Sequence, residues 1–178
     1  MSGSAAGWRY RLRWLLSALA LVALLSACGN GKNGSANPEY SDEPSHIHTA
    51  ANGDLREETA ALSAMPGFLN GQSSEVLLAY RAAAAIRDTL QWIPCYCGCG
   101  ESAGHKSNLN CFIHEVKPDG SVVWDDHGTR CGVCVDIVLK SAQMKAEGKS
   151  DTDIRGAIDA SYRNGYAAPT DTSLPPQV

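Results

Sequence analysis

The chain has 178 residues, 44% of them hydrophobic, and a formal net charge of −4, enough for one modest core once a leader is removed. The acidic balance leaves no basic footprint for a nucleic-acid backbone, so nucleic acid is not expected as a partner. Seven cysteines are many for a chain this size. Their meaning depends on the compartment, because exported proteins oxidise thiols that cytosolic proteins keep reduced.

The N-terminus speaks to the compartment. Arg9, Arg11 and Arg13 precede an apolar run from Trp14 to Ala27, too short for a comfortable membrane span and suited to the core of a signal peptide. The run ends in Leu25-Ser26-Ala27-Cys28, which resembles the bacterial lipobox, whose cysteine is joined to diacylglycerol and starts the mature protein. Residues 1–27 are therefore expected to be a signal peptide and Cys28 a lipid anchor, placing the protein on the extracytoplasmic side of the cell membrane. Residues 28–52 are rich in Gly, Asn, Ser, Pro and acidic side chains without apolar periodicity, and read as a flexible tether. His46 and His48 fall within it and are read as solvated linker residues.

The domain proper is expected over residues 53–166. A short helix is predicted from Asp54, with Glu57 in a capping-box arrangement, stopping before Pro66-Gly67. A longer helix follows, capped by Ser74 and bringing Val76, Leu77, Tyr80, Ala83, Ala84 and Leu90 to one face. Pro94 ends it, because proline cannot donate the helical hydrogen bond and restricts Ile93 before it. The next residues are Cys95-Tyr96-Cys97-Gly98-Cys99-Gly100. Thiols at i and i+2 do not bridge each other without strain, yet they can face one shared ion. An extended segment lines them along one side, and a tight loop with Gly98 at positive φ brings them closer still.

Glu101–Asn110 is polar and carries His105, near enough in sequence to fold back on the thiols. Cys111–Val116 reads as a strand, Lys117-Pro118-Asp119-Gly120 as a turn and Ser121–Trp124 as the returning strand. This hairpin carries Cys111 and the loop Asp125-Asp126-His127-Gly128 to the same end, so His127 has a route to the thiols. His114 faces away from Cys111 by strand alternation. Cys131-Gly132-Val133-Cys134 opens a further helix whose start favours thiolate over thiol. Val135, Val138, Leu139 and Ala142 give that helix an apolar face, Met144 aligns with the core, and Gly148 ends it. Ser150 with Asp153 caps a last helix, Ile154 to Tyr162, and residues 167–178 are expected to be a disordered tail. The fold class is a small α+β domain, mainly helical with one β-hairpin.

The expected ligand set is Cys95, Cys97, Cys99, Cys111, Cys131 and Cys134, joined by His105 and His127. Dense thiols at short spacing suit copper(I) first and zinc second, since softness favours copper while four-ligand sulfur and nitrogen sites are usual for zinc. Two other readings stand beside this one. Six cysteines in an exported domain can form a disulfide framework without metal, and Cys131-Cys134 can serve a thiol-disulfide oxidoreductase. The chain lacks the alternating strand and helix pattern of a thioredoxin-type enzyme, and no hydrolase elbow, phosphate loop or His-Glu-x-x-His helix is present. The expectation is a binding protein and not an enzyme.

With these motifs in view the chain resembles the bacterial PCYCGC-motif lipoproteins, named for the string at Pro94 to Cys99. The resemblance runs through His105, Asn110-Cys111-Phe112, Asp119-Gly120, Trp124 to Gly128, Cys131 to Cys134, and Ile154-Arg155 to Ile158-Asp159. It implies an exported, lipid-anchored protein and groups these cysteines and histidines together. It supplies no reaction, because the family is a domain of unknown function. The expected task is capture, storage or hand-over of an ion, with a metal-donor or metal-acceptor protein as partner.

Overall fold

The computed structural model describes residues 46–176. The expected signal peptide, the expected lipid anchor at Cys28 and the tether as far as residue 45 lie outside the described residues. Among these, five α-helices accompany a four-stranded antiparallel sheet, an α+β fold whose sheet exceeds the single hairpin expected.

The expected hairpin is present as β3 (Ile113–Val116) and β4 (Val122–Asp125), paired antiparallel with a bulge at His114. Its other edge is not bare. Leu55–Thr59, expected as a helix, is instead strand β2, pairing Arg56 with Asp125 and Glu57 with Trp124. Ile47–Thr49, expected as tether, forms β1 on the outer edge of β2, giving the order β1-β2-β4-β3. The physical reason is tertiary. β4 is buried along its whole length and needs a backbone partner on its second edge. The acids that resemble a capping box serve other elements. Glu57, 2% exposed, turns inward and accepts from the backbone amides of Gly67 (2.6 Å) and Phe68 (3.0 Å). Thr59 accepts from the indole of Trp124 at 2.8 Å, so the strand's β-branched residue satisfies a buried donor.

The long helix is α1 (Ser74–Ala85), with Ser73 rather than Ser74 accepting from the Val76 amide. It breaks at Ile86 and continues as the short α2 (Arg87–Leu90), so it does not run unbroken to Ile93. Its buried face holds Ala79, Tyr80 and Ala83, and the helix packs chiefly against the helix Gly132–Ala146 and the turn Asp126–Thr129. Tyr80 meets Phe112 edge-on at 5.0 Å and donates its hydroxyl to the Asp125 carbonyl at 2.7 Å, tying the helix to the end of β4. After the short α3 (Cys99–Ser102), α4 (Gly132–Ala146) buries Cys134, Val135, Ile137, Val138 and Ser141. α5 (Asp151–Tyr162) starts on the expected Ser150/Asp153 capping box and buries Ile154, Ile158 and Tyr162. Met144 packs against the core.

The C-terminal segment does not match the expected disordered tail over its described part. The Ala167 amide donates to the Tyr96 carbonyl at 3.1 Å, and the Thr170 amide to the Cys95 carbonyl at 2.9 Å. The Thr170 hydroxyl accepts from the Cys95 amide at 2.9 Å. A polar segment without apolar periodicity is held here because the cysteine loop, which belongs to no sheet, has backbone groups to satisfy.

Gly128 sits where the turn after β4 passes the ring of Phe112. A Cβ there would meet Phe112 Cε1 at 2.5 Å and the Cys111 carbonyl at 3.0 Å. Gly128→Ala is expected to destabilise the domain by about 1–3 kcal/mol through overpacking. A lower thermal midpoint by circular dichroism checks this; an unchanged midpoint would contradict the close approach.

Candidate metal centre

Each expected ligand is delivered by a different local device. The loop leaves Pro94 and is pinned at its start by the Asn108 amide, which donates to the Ile93 carbonyl at 2.8 Å. Gly98 takes φ 90°, a left-handed conformation that turns the chain into α3 and carries Cys99 back toward Cys95. The thiols thus converge through the tight loop and not through strand alternation. His105 follows α3, its amide donating to the Cys99 carbonyl at 3.2 Å.

Cys111 closes a 3-10 turn, Asn108–Cys111, fixed by a reciprocal cap between Ser107 and Asn110; it precedes β3 instead of opening it. The expected closeness to His127 survives this correction, because the Asp125 amide donates to the Phe112 carbonyl at 2.9 Å. Asp125 then accepts from the His127 amide at 3.1 Å and starts the 3-10 turn Asp126–Thr129. Cys131 is the N-cap residue of α4, with Cys134 in its first turn.

All eight expected ligands come together. Cys95 Sγ lies 3.3 Å from Cys134 Sγ and 3.4 Å from Cys97 Sγ, and Cys134 lies 3.5 Å from Cys97. Cys99 and Cys111 are 3.7 Å apart. His105 Nδ1 stands 3.5 Å from Cys111 Sγ, and His127 Nε2 stands 3.8 Å from Cys97 Sγ. The six cysteines are free thiols. Two sets of four have donor atoms all within 4.8 Å of one another: Cys97, His127, Cys131 and Cys134, and Cys99, His105, Cys111 and His127. Such groups can hold a metal ion. His114 is exposed on β3 and belongs to neither set; His46 and His48 are likewise exposed and apart.

Asp54 is the residue beside the cluster that the sequence did not disclose. Its Oδ1 lies 3.3 Å from His127 Nδ1, and its Oδ2 lies 3.4 Å from His105 Nε2. One carboxylate thus faces the far nitrogen of both imidazoles, leaving the near nitrogens toward sulfur. At His127 the contact is a hydrogen bond, the arrangement by which an acid fixes the tautomer and orientation of an imidazole, whereas His105 Nε2 is at ion-pair distance without a hydrogen bond. Asp54 is in turn held by Arg130, and by Asn52 Nδ2 at 2.8 Å. No local pattern marks it, since β2 brings it to His127 across 73 residues of sequence.

Crowding sets the electrostatics. Hydrogen bonds from Cys131 and then Cys134 hold the Cys97 thiol far below its usual range. Cys95 is lowered to about 5; an opposing contact with Cys111 is outweighed by bonds from Cys134, Cys97 and Cys99. Cys99 and Cys134 move strongly upward, each chiefly through its contact with Cys111. At Cys134, in the first turn of α4, contacts with Cys111, Cys131, Cys95 and Cys97 and burial therefore all act against the thiolate that a helix start favours. His127 is pushed up to about 11 by its contacts with Cys131 and Cys97, while burial pushes His105 down. The sulfurs share protons because they cannot all be anions at these distances without a cation among them.

A family model described as a protein of unknown function with PCYCGC motif matches residues 17–175. The chain belongs to this family. No curated protein and no solved structure matches it. The PCYCGC string supplies three of the eight donors, and the rest of the domain brings up the other five.

Burial is uneven across the centre. Cys95, Cys99, Cys111 and Cys134 are at most 1% exposed and His105 is 6% exposed, whereas Cys97, Cys131 and His127 are half-buried. The side defined by these three is the accessible one. Asp54→Asn is expected to weaken binding of zinc about 10- to 100-fold by loosening the His127 imidazole and removing the charge beside His105, with the fold retained. Competition against a chelator of known affinity measures it; wild-type affinity in a folded variant would remove Asp54 from the centre.

Proposed function

We propose that the protein binds a soft metal ion outside the cytoplasmic membrane, copper(I) first and zinc second, for capture, storage or hand-over. One observation carries this reading: eight cysteine and histidine donors, drawn from a loop, two 3-10 turns and a helix start, converge with sulfurs 3.3–3.7 Å apart. Packing alone gives no reason to gather side chains whose charges oppose one another. A thiophilic cation removes that conflict, since each thiolate then faces positive charge. Six thiolates favour copper(I) by softness. The set of three cysteines and His127 also suits four-coordinate zinc, which keeps zinc as the second ion.

Binding and transfer are ligand exchange and need no redox partner. An entering ion displaces the protons shared among the sulfurs. An acceptor's donor then enters from the side of Cys97, Cys131 and His127; one metal–sulfur bond forms as another breaks, and the freed thiolate recovers a proton. No covalent chemistry on an organic substrate is involved, so the protein is read as a carrier and not an enzyme. The lipidated Cys28 would hold it at the membrane surface, where the thiols need protection from oxidation, and a bound ion gives that protection.

The test is metal content and free-thiol count on protein recovered from the membrane fraction without reductant. At least one copper or zinc per chain is expected, with the six domain thiols titrating after unfolding and chelation. Paired cysteines with no bound metal, and no uptake after reduction and reconstitution, would replace this reading with a disulfide framework.

A further inference from the structure

The centre offers more donors than one ion can use. A closed zinc site takes four ligands. One ion among these eight donors would leave as many unused, buried thiols included. Resting on the soft-metal reading above, we propose that the centre holds two ions, an inner one and an outer one, each with four of the eight donors.

Geometry divides the donors. The outer set is Cys97, Cys131, Cys134 and His127. The inner set centres on Cys99, Cys111 and His105, with the two sulfurs 3.7 Å apart and His105 Nδ1 3.5 Å from Cys111. His127 is near both sets, but one imidazole nitrogen serves one ion. Its Nε2 is 3.8 Å from Cys97, and its Nδ1 is taken up by Asp54, which assigns it to the outer ion. The place thus left in the inner set falls to Cys95, which is within 4.8 Å of both Cys99 and Cys111. Cys95 also lies 3.4 Å from Cys97 and 3.3 Å from Cys134, both outer ligands. A thiolate that completes the inner set and touches the outer one puts the two ions side by side. Thr170 bonds both the amide and the carbonyl of Cys95, which fixes the backbone from which this sulfur is presented.

The two imidazoles divide in the same way. Each set receives one, and the two oxygens of Asp54 face one apiece. Burial then separates the roles: the inner donors are closed off, whereas three of the four outer donors are half-buried. The inner ion stays with the fold and the outer ion exchanges with partners.

Zinc is the probe, because four ligands close its coordination and make the count clean. Reduced, metal-free full-length chain is titrated anaerobically with zinc and read by native mass spectrometry. Two ions per chain are expected, and a chelator is expected to remove them in two phases at least about tenfold apart in rate. The double variant Cys131→Ser, His127→Ala, altered only on the accessible side, should retain one ion and lose the fast phase. A wild-type chain that stops at one ion, or releases two in a single phase, overturns the two-ion centre and leaves the soft-metal reading intact. A folded outer variant that binds none also overturns it. A wild-type chain that takes up neither zinc nor copper(I) removes both.

Discussion

The carboxylate of Asp54 is the one group that faces both imidazoles of the cysteine-histidine cluster. Sulfur can approach a soft ion from many directions, but an imidazole must present one nitrogen and keep the proton on the other. Asp54 makes that choice for His127 through a hydrogen bond and lies 3.4 Å from the far nitrogen of His105, and Arg130 keeps the carboxylate in place. The sheet makes this possible. Pairing of β2 with β4 sets Asp54, just before one strand, beside the turn that follows the other. The Tyr80 hydroxyl then locks the end of β4 to α1, so the turn carrying His127 starts from a fixed backbone.

Seen this way, the small helical elements are delivery devices. The left-handed Gly98, the Ser107/Asn110 cap and the Asp125 cap each fix a short piece of chain whose side chain is a donor. None of these pieces is long enough to be stable alone. They are held by the apolar core of Tyr80, Phe112 and Trp124 on one side and by the C-terminal strap on the other. A bound ion would add to this, since ligands drawn from separate pieces of chain couple metal affinity to folding.

The donors were legible in the sequence because their signals are local. Three thiols in five residues, a Cys-x-x-Cys at a helix start and a hairpin with a proline-glycine turn can all be read from neighbouring residues, as can the Ser150/Asp153 cap. What was not legible acts at a distance. Asp54 and Glu57 have the spacing of a helix start, and only the exposed edge of β4 and the amides of Gly67 and Phe68 explain why they lie at a strand instead. The tail was misread for a related reason: Thr170 carries no apolar signal, and its value lies in the two backbone groups of Cys95 that it satisfies.

The central claim is that sulfur and imidazole from this centre surround a soft ion. X-ray absorption at the metal edge of the copper- or zinc-loaded chain measures that directly. The expected result is a coordination sphere dominated by sulfur, at about 2.3 Å for zinc, with a smaller imidazole contribution. A sphere of oxygen and nitrogen without sulfur would mean that the ion binds elsewhere and that the convergence of these thiols serves another purpose.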